Sequence, residues 1–416
     1  MLKKFYSLLF IALTVLSCSE ESNPKFDTDN FTSIFDNYKF DIDYTPIDMV
    51  QTSDGGYLIL GRRKLTTSNM SGIYLLKADE NGNFVKELEV DETYVNPVAR
   101  LTQIGEVFYF ACMEYPFMTA NIASVDPDLE NVAFTPVSSI NDIIPTYPSV
   151  ASYIDNQFLL QCYDHENRQS GLLIVDPVTG AASGGKAFTI GIGAADNVNE
   201  AIINTFAHSR RSFPYEVGKS GGTYFFNGFY NFTYSLVFTD LVSDDPIGVV
   251  SGQNPPDSDF EYQFGAGFSS IVNLSGSKFA ASMFYFGENY LMPGITIPSN
   301  STTSLQPDSF NPSYAFPELV KNANVKILRT TIDSKNVLIY GSDTKTKQIG
   351  LYFYDEATGE FLGSRYLGFS NPFEIASIIN TSDEGIAVCG TTYVAGRFPR
   401  ICIFKLSKEE IAGEIK

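Results

Sequence analysis

The sequence predicts an all-β fold, and within that class a β-propeller of seven four-stranded blades. Three observations carry this. A turn-then-strand motif recurs seven times at near-regular spacing. The runs between turns are short and rich in Val, Ile, Tyr and Phe, which fit a pleated, half-buried surface. No segment has the length and 3.6-residue period of a substantial helix, and Asp196 to Ala207 is the one modest candidate.

The first motif is a polar turn followed by an apolar run that closes on a small residue. It reads TSDGGYLILG (52–61), TQIGEVFYFA (102–111), YIDNQFLLQC (153–162) and GKSGGTYFFNG (218–228). It returns as LSGSKFAASM (274–283), IDSKNVLIYG (332–341) and TSDEGIAVCG (381–390). The small residues are Gly61, Ala111, Cys162, Gly228, Gly341 and Gly390, with Met283 the exception, and successive intervals run from 49 to 66 residues. A second motif, an apolar strand ending in Asp and a turn, reads IYLLKADENGN (73–83), IASVDPDLEN (122–131), LLIVDPVTGA (172–181) and LYFYDEATGE (351–360). Its Gly, Asn and Pro-Asp residues supply tight-turn dihedrals.

Each unit thus holds strands a, b, c and d joined by turn, loop and turn. Repeated, that is the pattern of a propeller blade, whose two apolar faces pack against its neighbours. The repeats favour seven blades, with six or eight as the alternatives. A pair of β-sandwiches would explain the strands but not the repeated turn spacing. Ring closure removes open sheet edges. The alternation of Tyr38, Phe40, Ile42 and Tyr44 with Lys39, Asp41 and Asp43 marks a strand expected to complete the last blade, ahead of a rival strand at Ile411 to Lys416.

The chain has 416 residues, with 28 Lys plus Arg against 48 Asp plus Glu, for a formal charge of −20. That balance argues against binding nucleic acid, which needs a basic footprint. Two histidines and no tryptophan leave no His-rich metal site and no Trp platform for sugars. No cofactor is implied.

At the N-terminus, Lys3 and Lys4 precede an apolar run from Phe5 to Leu16, too short for a membrane span of about 20 residues. It ends in Val15-Leu16-Ser17-Cys18, which resembles the lipobox of bacterial lipoproteins. The resemblance implies cleavage before Cys18 and its lipidation, palmitate included. Ser19, Glu20 and Glu21 then resemble the surface-export signal of Bacteroidota lipoproteins. Residues 1–17 are therefore read as a signal peptide, 18–33 as lipidated Cys and flexible tether, and 34–416 as one propeller. The implied address is the outer membrane, through a lipid anchor, at the cell surface; the periplasmic face is the alternative.

TSDGGYLILG followed by IYLLKADENGNF resembles the repeat of bacterial secreted propellers of the SDGGY kind. The match is close over residues 49–84 and weaker over 381–406. The outer-strand Trp common in those repeats is absent. The resemblance implies fold and secretion and no particular reaction.

In this geometry the a–b and c–d turns share one face, and the b–c and d–a connections share the other. The second set is long, with insertions at 191–212, 253–267 and 286–320. Long loops on a rigid scaffold are the usual place for binding. The candidate binding face therefore comprises Tyr115, Phe117, His165, Arg168, His208, Arg210, Arg211, Phe229, Tyr230, Phe232 and Tyr290, with Met292 beside the last. Aromatic and Arg residues are the preferred anchors of interfaces.

Several motifs fail on context. Gly218-Lys219-Ser220 lacks the earlier Gly of a phosphate loop, because position 213 is Phe. Ser275 to Lys278 matches S-x-x-K but falls on an a–b turn without partner motifs. Gly191-Ile192-Gly193 lacks the third Gly of a dinucleotide loop. Asp79 to Asn83 loosely resembles a calcium loop, and a hairpin turn explains it more simply. Cys112, Cys162 and Cys389 cluster near the small-residue position, as packing residues do. Cys389 and Cys402 fall on adjacent strands, which makes a disulfide conceivable in an oxidising compartment.

With no catalytic constellation, the expected function is non-enzymatic. The chain reads as a surface lipoprotein whose propeller binds another envelope protein or serves as a scaffold, accessory by analogy to a secretion, gliding or uptake complex. The alternatives are a glycan-binding lipoprotein, with Tyr and Phe in place of Trp, and a propeller polysaccharide lyase or glycosidase.

Overall fold

A computed structural model describes residues 29–37, 39, 42–191, 214–253, 265–310, 315–394 and 396–415. The strands group into seven antiparallel blades around a central axis. Blade 1 comprises Tyr44–Gln51, Tyr57–Lys64, Ser71–Ala78 and Phe84–Glu89. Blade 2 is Tyr94–Ile104, Val107–Glu114, Thr119–Val125 and Val132–Pro136, joined to blade 1 by the single pair Gly72 and Val95. Blade 3 is Pro148–Ile154, Gln157–Asp164, Gln169–Val175 and Ala182–Thr189. Blade 4 is Glu216–Ser220, Thr223–Tyr230, Thr233–Thr239 and Gly248–Ser251. Blade 5 has three strands, Ala266–Ser275, Lys278–Tyr285 and Glu288–Thr296. Blade 6 is Val325–Ile332, Lys335–Asp343, Ile349–Asp355 and Phe361–Leu367. Blade 7 takes Phe373–Asn380, Ile386–Val394 and Phe398–Leu406, with Phe31–Phe35 as its outermost strand.

The inner a strand of each blade touches that of the next, and the a strand of blade 7 touches that of blade 1, so the ring closes. The core follows from strand alternation, which turns successive residues to opposite blade faces. It consists of seven apolar clusters, one between each pair of neighbouring blades. Cys389 joins the cluster between blades 7 and 1, whereas Cys402 joins the one between blades 6 and 7. Cys402 pairs with Gly390, one residue past Cys389, so the two thiols point to opposite faces. Both are free and buried, and no disulfide joins them.

The small residue lies inside strand b rather than at its end, Gly61 within Tyr57–Lys64 and Gly390 within Ile386–Val394, and the glycines there have two steric causes. A Cβ on Gly390 would stand 2.4 Å from the Glu374 carbonyl oxygen, and one on Gly61 would stand 3.0 Å from that of Thr45. Both carbonyls belong to a strands that bulge nearby, between Ile375 and Ser377 and between Pro46 and Asp48. On Gly341 the conflict is instead with the Ile375 side chain of the next blade, and on Gly228 with Gln161 of the preceding one.

Closure uses the N-terminal end of the chain, as expected, but a different segment. Tyr38, Phe40 and Asp41 lie outside the described residues, and Tyr44 opens the a strand of blade 1. The closing strand is Phe31–Phe35, so three residues assigned to the tether, Phe31 to Ser33, belong to the propeller. Arg400, fully buried, holds this junction. It donates to Asp36 at 2.8 Å and to the carbonyls of Lys39 and Ile42 at 2.9 and 3.1 Å. Among the described residues the C-terminal rival is no strand: Lys408–Ala412 form a short helix capped by Ser407.

Two further expectations fail in blades 4 and 5. The stretch from 286 is not an open loop, because Glu288–Thr296 is the c strand of blade 5. Pro293 and Gly294 gave it a loop-like look; they sit where the register shifts between Phe279 and Ala281. Among the described residues, blade 5 also has no d strand of its own. Thr302–Ser304 instead crosses back and adds a parallel fifth strand to blade 4. Asp196 to Ala207 and most of the first two insertions lie outside the described residues.

Candidate functional site

The two faces of the ring differ in chemistry. On the a–b and c–d face the polar groups are spent on the turns themselves. Asp54 and Asp383 occupy matching places in the a–b turns of blades 1 and 7. Each accepts from a Thr hydroxyl two residues earlier and from the amide of Gly56 or Gly385. Each also pairs with a buried lysine of strand c, Lys77 at 2.9 Å or Lys405 at 2.7 Å. The Thr52 hydroxyl and the Lys77 ammonium hold the Asp54 carboxyl at about 2. In the c–d turns, Asp79, Asp176, Asp240 and Asp355 accept two backbone amides each and Asp126 accepts three, all at 2.8–3.1 Å. The amides of Ser243 and Val242 hold Asp240 at about 2. Asp79 is therefore a turn residue, and Asp240 is a fifth example that the sequence motif missed.

The b–c and d–a face carries the exposed aromatic residues. Tyr115 and Phe117 are 43% and 71% exposed in the b–c loop of blade 2. Phe286 is 48% exposed in the b–c turn of blade 5, and Phe369 is 79% exposed between blades 6 and 7. Among the described residues, the opposite face exposes Val178 and Val242 in its c–d turns, while Phe84 and Phe361, 56% and 51% exposed, open the d strands directly after the Asp79 and Asp355 turns. The remaining exposed ones lie on outer strands.

The sequence-selected residues divide accordingly. Tyr115, Phe117, His165 and Arg168 stand exposed on this face. His165 rests edge-on to Tyr147 at 5.8 Å and tilted to Tyr163 at 6.3 Å, which fixes its ring. Tyr230 and Phe232 are half-buried at the b–c turn of blade 4. Phe229 is not on the face. It is 1% exposed and packs edge-on to Tyr215 and Tyr234, because strand alternation turns it inward where Tyr230 turns outward. Tyr290 is likewise buried in strand c of blade 5, its hydroxyl donating to Glu288 at 2.7 Å, and Met292 is buried with it. His208, Arg210 and Arg211, like Cys18, Ser19, Glu20 and Glu21, lie outside the described residues.

Tyr230 and Phe232 line a cleft of about 750 Å³ at the rim between blades 3 and 4. Its other walls come from the d strand of blade 3, the 141–143 connection, Asn167 and Gln169, and the 244–246 segment. Lys186 pairs with Asp244 across it at 2.6 Å.

Sequence reasoning also missed a charged cluster in the central channel. Arg100 of blade 2 reaches over blade 3 to Glu216 of blade 4 at 2.9 Å, and Ser270 of blade 5 donates to the same carboxylate at 3.4 Å. Asp48 of blade 1 accepts the Ser377 hydroxyl of blade 7 at 2.5 Å and the Leu101 amide of blade 2 at 2.9 Å. Lys326 of blade 6 faces this group. Enclosure pushes its ammonium below the ordinary lysine range, while the charges of Glu216, Asp48 and Asp343 act the other way. Each of these residues looks ordinary within its own strand; only ring closure brings them together.

Comparison with known proteins adds little to this geometry. No family model and no curated protein matches the chain. Among solved structures, it is similar to the β-propeller domain of the trilobed protease from Pyrococcus furiosus, at 10% identity over 87% of this chain and 93% of that one, with a TM-score of 0.45. It is similar to Sqt1 from Chaetomium thermophilum at 12% identity, over 88% and 89% of the two chains, with a TM-score of 0.45. It is also similar to the Trypanosoma rangeli sialidase at 8% identity, over 92% of this chain and 58% of that one, with a TM-score of 0.44. At such distances the assignment rests on the chain's own seven blades and their closed ring: the fold is a seven-bladed β-propeller.

Proposed function

We propose that this chain is a lipid-anchored, non-enzymatic propeller of the outer membrane that captures another envelope protein on its b–c and d–a face. The observation that carries the reading is the asymmetry of the two faces. On one, the turn aspartates are bonded within their own turns and no turn carries an exposed aromatic side chain among the described residues, the nearest being Phe84 and Phe361 where two outer strands begin. The other displays Tyr115, Phe117, Phe286 and Phe369 to solvent. Exposed aromatic residues on a rigid scaffold are the usual anchors of a protein interface, because they bury large areas at little entropic cost.

The address rests on Val15-Leu16-Ser17-Cys18 and the acidic residues after it. Two or more acyl chains at Cys18 would suffice for stable anchoring. Metabolic labelling with a palmitate analogue tests this half. The expected result is label in the outer-membrane fraction that disappears in Cys18→Ser. Label retained by Cys18→Ser would contradict it.

Capture is tested by affinity purification from detergent-solubilised outer membranes. A stoichiometric partner should be recovered with the native chain. It should be reduced at least tenfold by Phe117→Ser or Tyr115→Ser and unaffected by Val242→Ser. Equal loss from both faces would sink the face assignment.

A further inference from the structure

The cleft between blades 3 and 4 is lined by polar side chains that face solvent and that, among the described residues, the fold itself does not bond, with Asp142, Asn231 and Asp245 exposed and Gln169 half-buried. Its 750 Å³ lies within the roughly 300–1,000 Å³ typical of small-ligand sites. The side chains of Asp142, Gln169, Asn231 and Asp245 line it and make no hydrogen bond or ion pair among the described residues. The Tyr230 ring stands edge-on to Phe188 at 6.3 Å, and its hydroxyl, likewise unbonded, feels the charge of Asp245. Two carboxylates, two carboxamides and a phenol are thus turned to one space, beside the half-buried ring of Phe232.

The chemistry of the walls selects the occupant. Asp142, Asp244 and Asp245 outnumber Lys186, which is already spent on Asp244, so an anionic ligand is repelled. An apolar ligand would strip water from these polar groups and return no hydrogen bonds, at about 1–3 kcal/mol per group. Among the described residues, no group of three His, Cys, Asp or Glu is placed to hold a metal ion. A neutral polyol uses both the acceptors and the donors of Gln169 and Asn231 together with the aromatic wall, whereas an organic cation would engage the carboxylates alone. The polyol's hydroxyls donate to the carboxylates and accept from the amide NH₂ groups, and the C–H face of a sugar ring packs against an aromatic side chain.

We propose that this cleft binds a neutral oligosaccharide, with Asp142 and Asp245 as hydroxyl acceptors, Gln169 and Asn231 as paired donor–acceptors, and Tyr230 and Phe232 as the apolar wall. The site is separate from the exposed aromatic residues assigned to protein capture. A propeller with both would hold a glycan at the rim while its open face engages a partner.

The test is calorimetric titration of the full mature chain with neutral hexasaccharides (maltohexaose, cellohexaose, laminarihexaose and mannohexaose), with hexagalacturonate as the acidic control and spermidine as the cationic one. At least one neutral hexasaccharide should bind, and hexagalacturonate should not. Asp245→Ala and Gln169→Ala should each weaken that binding tenfold or more with the thermal midpoint unchanged. Phe117→Ser should leave it intact, so that failure here and failure of protein capture are separable. No binding to any neutral hexasaccharide, binding indifferent to both cleft variants, or binding of spermidine or hexagalacturonate alone would each overturn the proposal.

Discussion

Blades 1 and 7 and blades 4 and 5 solve the same packing problem in different ways. The a–b turns of blades 1 and 7 are held locally. A Thr, an Asp and a Gly within five residues build each a–b turn, and a lysine two strands away completes it. Blades 4 and 5 are held at a distance. Asn227, fully buried, donates to the Phe268 carbonyl of the next blade at 2.8 Å, and the Ser269 and Ser282 hydroxyls meet inside blade 5 at 2.7 Å. The outer edge of blade 4 is finished by a strand borrowed from beyond blade 5. Interactions that close within a few residues leave a readable motif. Interactions that close over tens of residues leave none.

The comparison can be broken in several places. The largest effect should come from Arg400→Met, which strands Asp36 and two carbonyls where the N-terminal strand joins blade 7. Removing one partner of a buried ion pair costs about 3–5 kcal/mol, and urea unfolding should show at least the lower figure. In the irregular half, Asn227→Ala should cost about 1–3 kcal/mol by leaving buried acceptors unpaired. An intermediate effect is expected from Gly390→Ala. Its Cβ would meet a backbone oxygen at 2.4 Å, against 3.0 Å for Gly61→Ala, so of the two it should be the more destabilising, by about 1–3 kcal/mol.

The smallest effect concerns pH. Asp54 titrates at about 2 in the folded chain against an ordinary 3.8, and Asp240 shows the same depression. A depressed carboxyl stabilises fully above its unfolded value, and that stabilisation is lost as pH falls from about 4 through 2. Asp54→Asn should flatten the stability profile in that window and leave neutral-pH stability within about 1 kcal/mol, as expected for a solvent-screened pair. Asp240→Asn should flatten it similarly, because its partners are backbone amides of its own turn.

The same contrast explains what the sequence could tell. The repeat count was legible partly because four b strands carry a glycine where a Cβ would meet a carbonyl or a neighbouring side chain, at Gly61, Gly228, Gly341 and Gly390. The c–d aspartates were legible because their hydrogen bonds span two to five residues. Phe31–Phe35 was not, since its partners are the Ile401–Lys405 stretch at the far end of the chain. Tyr290 and Phe229 looked like face residues because a Pro-Gly pair and an aromatic run hid the alternation that buries them. Of the residues that line the cleft, the sequence had singled out only Tyr230 and Phe232 as binding candidates. Asp142, Gln169 and Asp245 were not legible, for three separate segments bring them to one cleft. The Arg100–Glu216 contact across the channel was hidden for the same reason.

The central claim is that the two faces of the ring differ in function. Its most direct measurement is photo-crosslinking in intact cells with a benzophenone amino acid placed at position 117 on one face or at position 242 on the other. The account predicts one discrete crosslinked protein from position 117 and none from position 242. Equal products from both positions, or a product from 242 alone, would contradict it.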